Sequence, residues 1–144
     1  MENKQPKHRK IVPDLNNIKI LMAENDELVF LIGQKILSNL NARVVNAEDG
    51  QMAVDLVRNG DFDIVLMDVH MPVMDGMTAT KEIRKFNPTI PIIVVTSDKS
   101  NEIRSDFSGL SISDIVYQPY DPEYLYTVIW NTIQKTPGLK NKLQ

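Results

Sequence analysis

The sequence predicts an α/β fold in which a parallel β-sheet is covered by helices. Two observations support this prediction. From Ile18 onward, short runs rich in isoleucine and valine alternate with amphipathic stretches, the pattern of strands joined by crossover helices. The chain has 144 residues, 42% of them hydrophobic, which suits a single domain with a substantial core.

Five elements are expected in the first half of the chain. Apolar runs bounded by polar or turn residues predict strands at Lys19–Ala23, Arg43–Asn46 and Ile64–Met67. The first helix is expected at about Glu27–Leu40, where an apolar residue recurs at every fourth position on one face. These residues are Leu28, Ile32, Ile36 and Leu40. A second helix, about Gln51–Asn59, precedes the third strand.

Five further elements are expected in the second half. Helices are predicted at about Met77–Phe86 and, with a weaker pattern, near Asn101–Phe107, and strands at Ile92–Thr96 and Asp114–Tyr117. The last helix begins at Asp121-Pro122, because an aspartate cap followed by proline is a typical start, and Pro137-Gly138 ends it. Its core face carries Leu125, Val128, Ile129 and Ile133.

The ends of the chain differ in composition from its middle. We divide the sequence into a basic flexible N-terminal tail at residues 1–17, a domain at residues 18–136 and a C-terminal tail at residues 137–144. Both tails are expected to be frayed. The basic residues of the first tail are Lys4, Lys7, Arg9 and Lys10. A solvated tail is the favoured interpretation, and docking onto an acidic partner is the alternative.

Charge and composition exclude several classes of function. The net charge is −3 and the pI is near 5.3, so no overall positive field favours nucleic acid or an anionic membrane. The absence of cysteine excludes disulfides and thiolate metal sites. No apolar run reaches the length of a signal peptide or a membrane span. We therefore expect a soluble, cytoplasmic protein.

Polar residues end several of the predicted strands. In an open parallel sheet with helices on both faces, ligands bind beyond the carboxyl ends of the strands. The residues at these ends are Glu24, Asn25, Asp26, Asp68, Thr96, Ser97 and Gln118. Carboxylates gathered at one edge repel each other unless a hard cation joins them, which predicts a Mg²⁺ site. Capping of the first helix is the alternative role of residues 24–26. Asp68 follows a buried apolar run, where ionisation costs free energy unless it is compensated, so we assign it a function.

Two longer segments are DIVLMDVHMPVMDG, from Asp63 to Gly76, and ILMAENDE, from Ile20 to Glu27. The first resembles the phosphoacceptor stretch of response-regulator receiver domains, including those fused to hybrid histidine kinases, and the second resembles their first strand and acidic turn. VVTS at 94–97 and YQPY at 117–120 fall where the family has a hydroxyl residue and a lysine-proline pair. The resemblance implies a doubly wound, flavodoxin-like five-stranded sheet of order 2-1-3-4-5, an aspartate phosphorylated from a phosphohistidine, and Mg²⁺ as cofactor.

The resemblance also implies roles for individual residues. Asp68 matches the phosphoacceptor, and Thr96, followed by Ser97, matches the hydroxyl that turns toward the phosphoryl group. The implied Mg²⁺ ligands are Glu24, Asn25, Asp68 and the backbone carbonyl of His70. The imidazole of His70 is expected to be an exposed loop side chain.

Three positions depart from the family pattern. Asn25 stands where the acidic pair supplies a carboxylate to Mg²⁺, and the adjacent Asp26 is a candidate to compensate. Gln118 stands where a lysine contacts the phosphoryl oxygens, and it offers only a neutral donor. Ile115 takes the place of the aromatic residue that moves with the hydroxyl. These changes affect both the stability and the readout of a phosphorylated state.

Two functional hypotheses follow. The first is a phosphorelay receiver that accepts a phosphoryl group on Asp68 from a histidine kinase or phosphotransfer protein and signals to a downstream protein through a surface change. The second is a pseudo-receiver that acts as an interaction module without phosphate. We favour the first because Asp68, Glu24 and Thr96 persist. Any turnover is expected to be slow self-dephosphorylation, so enzyme status stays open.

Other classes fit the sequence less well. A dehalogenase-like phosphatase would also place an aspartate after a parallel strand, but it needs a second acid where this chain has His70. No glycine-rich phosphate loop occurs, which argues against nucleotide hydrolysis. The family further implies a contact face on the fourth helix, fifth strand and fifth helix, which could support a weak homodimer.

Overall fold

A computed structural model describes residues 12–143 as a five-stranded parallel sheet with helices on both faces. The strands are β1 Lys19–Ala23, β2 Arg43–Ala47, β3 Ile64–Met67, β4 Ile92–Thr96 and β5 Asp114–Tyr117. The sheet order is β2-β1-β3-β4-β5, which confirms the predicted fold class and strand order. Four strands have the predicted bounds, and β2 extends one residue further, to Ala47.

Five helices connect or follow the strands. They are α1 Glu27–Ser38, α2 Gly50–Asn59, α3 Gly76–Phe86, α4 Glu102–Asp106 and α5 Pro122–Lys135. Four of them begin after an aspartate whose side chain accepts a backbone N–H of the first turn, namely Asp26, Asp49, Asp75 and Asp121. None of the helices in this part of the chain is long and apolar enough to cross a membrane.

The core lies on both faces of the sheet. Alternate residues of β1 point to opposite sides: Ile20 and Met22 pack with α1 and α5, whereas Leu21 and Ala23 pack with α2 and α3. The predicted core face of α5 is confirmed, since Leu125, Val128, Ile129 and Ile133 are all buried. A third cluster lies under α4 and contains Val69, Val94, Ile103, Phe107 and Ile115.

The predicted apolar face of α1 meets the core only toward its C-terminal end, where Ile36 packs against the core and Leu40, just beyond the helix, is buried. Leu28 is 67% exposed and Ile32 is 52% exposed, whereas Gly33 and Leu37 are buried. A methyl group on Gly33 would meet the side chain of Met22, so the small residue allows α1 to approach β1 closely. Helical spacing alone could not choose between the two faces, because α1 carries apolar residues on both of them.

The two ends of the described chain pack on the domain, which corrects the expected frayed ends. Leu15 is fully buried, and its N–H donates to the Leu40 carbonyl at 2.6 Å. Leu139 is also buried and precedes a short 3₁₀ helix at Lys140–Lys142. Lys142 Nζ lies 2.6 Å from Asp63 Oδ1, and Asp63 Oδ2 accepts from the Lys19 N–H at 2.9 Å.

The packed unit therefore extends beyond the predicted boundaries of 18 and 136 on both sides. The basic residues of the N-terminal tail, Lys4, Lys7, Arg9 and Lys10, lie outside the described residues.

Candidate functional site

The carboxyl ends of neighbouring strands bring the predicted polar residues to one edge of the sheet. Ala23 of β1 pairs with Met67 of β3, so Glu24 and Asp68 follow at adjacent positions. On the other side of β3, β4 ends at Thr96, which pairs with Tyr117 of β5. Asp68 therefore leaves the central strand, between the strands that carry the acid and the hydroxyl.

The carboxyl groups of Glu24 and Asp68 lie close enough to affect each other's pKa. Glu24 is only 4% exposed, and burial raises its pKa to about 7, with the negative charge of Asp68 acting in the same direction. Burial also raises the pKa of Asp68. The N–H of Asp26 donates to Glu24 Oε1 at 3.0 Å and opposes part of the effect on Glu24. Burial therefore favours the protonated form of Glu24 up to near neutral pH.

The loop after β3 orients the Asp68 carboxyl group. Asp68 Oδ1 accepts from the Val69 N–H at 2.7 Å, and the backbone N–H groups of Val69 and His70 lower the pKa of this carboxyl group against the effect of burial. The loop ends at Gly76, the first residue of α3, whose N–H donates to the Val69 carbonyl at 2.8 Å. A methyl group on Gly76 would overlap the Asp68 carbonyl oxygen, so the close approach requires glycine.

Thr96 lies at the end of β4 with its side chain fully buried. Its Oγ1 accepts from the Asp98 N–H at 3.1 Å, and its carbonyl accepts from the Gln118 N–H at 2.7 Å. Ser97 is exposed, and Gln118 is followed by a cis peptide bond to Pro119. The hydroxyl thus ends the strand next to that of Asp68, and Gln118 follows the strand beyond it, whereas Ile115 is buried under α4.

Asn25 and Asp26 are exposed at the start of α1. Asp26 Oδ1 accepts from the Val29 N–H at 3.1 Å, which is the capping role that the sequence left as an alternative. Sequence analysis missed Asn46, whose Nδ2 donates to the carbonyl of Met22 at 3.0 Å and that of Glu24 at 3.2 Å. A polar residue inside β2, the strand beside β1, was the available signal.

Sequence analysis also missed the partner of His70. The imidazole is exposed as expected, but its Nε2 lies 2.9 Å from Asp98 Oδ2. This bond is the main reason why the pKa of Asp98 is lowered to about 2. The contact joins the loop after β3 to the loop after β4 across 28 positions. An acid two residues after Thr96 was the only sign of it in the sequence.

The donor set fits a magnesium ion. Mg²⁺ binds few protein carboxylates and completes its octahedral shell with carbonyl oxygens, water and phosphate. Glu24 and Asp68 supply two adjacent carboxyl groups whose raised pKa values reflect burial without a compensating cation. Among residues 12–143, no three acidic, histidine or cysteine side chains converge into a closed metal cage.

An apolar groove runs from this site along α1. It is lined by Val29, Ile32 and Ile36 of α1 and by Pro119, Tyr120 and Pro122 after β5, and it ends at Ser97 and Gln118. Leu28 and Leu31, at 67% and 48% exposure, extend the apolar surface of α1 beside it. Burial and the negative charge of Glu24 raise the pKa of Tyr120, which shows that its phenol lies within electrostatic reach of the acid pair.

Comparison with known proteins identifies relatives over most of the chain. A family model described as the response regulator receiver domain matches residues 20–130. The transcription factor SKN7 of Chaetomium thermophilum is 36% identical over 104 residues, which are 71% of this chain and 14% of that protein. The sensor histidine kinase CheAY of Helicobacter pylori is 36% identical over 107 residues, 70% of this chain and 13% of that protein. The chain thus spans a small part of these relatives.

A solved structure with the same fold contains a metal ion. The receiver domain of the sensor histidine kinase PA1611 from Pseudomonas aeruginosa aligns with a TM-score of 0.77 and 28% identity. The alignment covers 82% of this chain and 98% of that domain, which holds a magnesium ion in its active-site cleft.

Proposed function

The chain belongs to the response regulator receiver domain family of two-component signalling, and from this premise we propose that Asp68 accepts a phosphoryl group from a phosphohistidine. The donor would be a histidine kinase or a phosphotransfer protein, and the phosphorylated chain would signal to a downstream protein through a changed surface. The observation that carries the proposal is the position of Asp68, half-buried at a strand end beside Glu24 and between β1 and β4.

In the proposed transfer, one oxygen of the ionised Asp68 carboxylate attacks phosphorus in line with the P–N bond of the donor. The new P–O bond forms as the P–N bond breaks, and the bonding electrons leave with the donor imidazole. The reaction requires Asp68 to be ionised, so the proton that burial favours must lie on Glu24 or leave first. Val69 N–H, 2.7 Å from Oδ1, keeps the carboxylate oriented for this attack.

We assign the Mg²⁺ ligands to Glu24, Asn25, Asp68 and the backbone carbonyl of His70. Bound there, Mg²⁺ would neutralise negative charge on the phosphoryl oxygens. Two carboxyl groups side by side support this assignment, since a divalent cation can replace a proton on Glu24. The compensating role of Asp26 stays a prediction, because its carboxylate would have to give up the bond to the Val29 N–H.

A phosphate-independent interaction module is the second candidate. It is favoured by the neutral side chains of Asn25 and Gln118, and by Ile115, which is buried against the same cluster as Phe107. This candidate keeps the fold and the surface of the family and dispenses with transfer to Asp68.

We propose that a partner docks on the apolar surface of α1. Leu28, Leu31 and Ile32 are exposed together, and the groove beside them ends at Gln118 next to the acceptor site. A donor helix on this surface would bring its phosphohistidine within reach of Asp68. The weak homodimer through β5 and the neighbouring helices, and the cytoplasmic location, stay predictions.

The test is incubation of the protein with Mg²⁺ and a small phosphodonor, followed by intact-mass measurement. We expect the mass to rise by one phosphoryl group in the native protein and to stay constant in Asp68→Asn. A native mass that does not change under conditions that saturate a receiver such as the PA1611 domain would refute transfer to Asp68 and favour the interaction module.

A gain-of-function variant separates the two candidates further. Gln118→Lys returns a cation to the phosphoryl-binding position, so it should increase the phosphorylated fraction at a given donor concentration by about tenfold. Gln118→Met, which keeps the length of the side chain without a charge, is the matched control. Equal phosphorylation in both variants would show that Gln118 does not limit the reaction.

A further inference from the structure

The side chain of Asn46 bonds the backbone at the carboxyl end of β1. Its Nδ2 donates to the Met22 carbonyl at 3.0 Å and to the Glu24 carbonyl at 3.2 Å, and the Ala47 carbonyl lies 3.4 Å away. An amide NH₂ group carries two hydrogens, so it can bond the two nearer carbonyls at once. Asn46 pairs with Met22 in the register of β1 and β2, which places its amide beside the end of β1.

The Glu24 carbonyl lies beyond the end of the ladder between β1 and β2. The Glu24 N–H donates to the Ala47 carbonyl at 2.9 Å, and β2 ends at Ala47. Because β2 has no further residue, the donor for the Glu24 carbonyl comes from a side chain, that of Asn46. Glu24 is 4% exposed, so a carbonyl left without a donor there would cost free energy.

Hydrogen bonds thus hold Glu24 at three points. Its N–H and its carbonyl bond residues of β2, and its Oε1 accepts from the Asp26 N–H at 3.0 Å. The carbonyl belongs to the peptide unit that joins Glu24 to Asn25, and both residues are among the ligands that we assign to Mg²⁺. Rotation of this peptide unit would redirect both side chains. Mg²⁺ requires nearly octahedral geometry, so its affinity depends on how firmly the unit is held.

The segment that carries Asn46 is itself held in place. Asp49 caps α2, and the Gly50 N–H donates to the Met74 carbonyl at 3.0 Å, in the loop after β3. A methyl group on Gly50 would overlap that carbonyl oxygen, so the approach is close. The end of β2 therefore contacts both loops that carry the assigned ligands, the one after β1 and the one after β3.

We propose that Asn46 is a positioning residue for the Mg²⁺ site: its side-chain amide holds the peptide unit after Glu24 and keeps Glu24 and Asn25 in the arrangement that binds the cation. Asn46 acts through the backbone and is not itself a ligand. The inference rests on the Mg²⁺ ligands proposed above and adds the residue of β2 that arranges them. Loss of a residue that orients metal ligands typically lowers metal affinity by about 10- to 100-fold.

The test compares Asn46→Ala with Val44→Ala in the whole protein. Val44 lies two positions before Asn46, on the same face of β2, and it packs against the core with a side chain that has no polar atom. Urea unfolding measures how far each substitution destabilises the fold. Calorimetry with Mg²⁺ alone at pH 8 measures the metal affinity, and amide hydrogen exchange in NMR follows the Asp26 N–H of the metal-free protein.

We expect Asn46→Ala to lower the Mg²⁺ affinity by at least about tenfold. Its Asp26 N–H should also exchange faster than in the native protein, because the peptide unit before it is no longer held. Val44→Ala should leave both quantities close to their native values. An equal fall of affinity in the two variants would show that general destabilisation is the cause and would overturn the proposal.

A second variant keeps the test decisive if Asn46→Ala does not fold. Asn46→Leu retains a side chain branched at the same carbon and removes the donor, so the same loss of Mg²⁺ affinity is expected. A native affinity in either variant of Asn46 would refute the positioning role. If the native protein itself binds no Mg²⁺, the ligand assignment fails first, and the inference falls with it.

Discussion

Glu24 and Asp68 follow a directly paired position of adjacent parallel strands, Ala23 and Met67, and each carboxyl group affects the pKa of the other. Burial raises the pKa of both groups, and that of Glu24 rises to about 7. The first two predictions follow from this pair.

The stability of the metal-free protein should fall as the pH rises from 5 to 7.5. The pKa of Glu24 is about 7 when folded and 4.5 in the reference state, so between these values the folded protein binds more protons than the unfolded chain. The free energy of unfolding then decreases with pH, by on the order of 2 to 3 kcal/mol in total. Urea unfolding at several pH values measures it. Glu24→Gln should remove most of this dependence of the free energy of unfolding on pH. An equal dependence in the native protein and the variant would show that Glu24 is not its cause.

Mg²⁺ should bind more tightly at pH 8 than at pH 6. A proton on Glu24 or Asp68 competes with the cation, because a metal binds the ionised carboxylate. Below the pKa of Glu24, affinity should fall by up to about tenfold for each pH unit. Calorimetry in two buffers of different ionisation enthalpy would report the protons released. Zero release at pH 6 would show that the cation binds elsewhere, and Asp68→Asn should weaken binding at both pH values.

Gly76→Ala should distort the loop that carries the acceptor. The added methyl group would overlap the backbone carbonyl oxygen of Asp68, which cannot turn away as a side chain would. We expect a loss of about 1 to 3 kcal/mol in the free energy of unfolding and a lower phosphorylated fraction.

Gly33→Ala is the matched control for this substitution. Its methyl group would meet the flexible end of Met22, and alanine favours a helix by about 1 kcal/mol over glycine. Chemical denaturation measures the free energy of unfolding of both variants. An equal loss in Gly76→Ala and Gly33→Ala would show that the contact with the Asp68 carbonyl is not the cause of the destabilisation.

Lys142→Met should destabilise the fold at the edge opposite the acceptor site. The substitution leaves the Asp63 carboxylate, whose side chain is 7% exposed, with the Lys19 N–H but without its cation. Because Lys142 itself is 48% exposed, we expect a loss of only about 1 to 2 kcal/mol. Lys140→Met changes an exposed lysine of the same 3₁₀ helix and should have little effect. Thermal unfolding of the pair tests this, and equal midpoints would argue against the Asp63 contact.

The local features of the fold were predictable from the sequence. Runs such as Ile64–Met67 are apolar at every position because β3 is buried on both faces, and their ends located the site. Helix caps such as Asp121 were equally visible, since one short side chain bonds an N–H two positions away.

Contacts between distant segments were not predictable. His70 and Asp98 lie 28 positions apart and meet only because β3 and β4 are neighbours, and Lys142 reaches Asp63 across 79 positions. The orientation of α1 was not predictable either. Its exposed Leu28 and Ile32 are spaced as the residues of a core face would be. The face that packs on the sheet instead contains Gly33, which fits against Met22.

Leu15 and Leu139 belong to the same buried cluster, and Lys142 bonds the residue that precedes β3, so the polypeptide enters and leaves at the amino edge of the sheet. Asp68 lies at the opposite, carboxyl edge. A fluorescent label or a surface tether attached near Leu143 would therefore lie away from the edge that carries Asp68. The geometry makes this unit suitable for immobilisation with that edge exposed to solution.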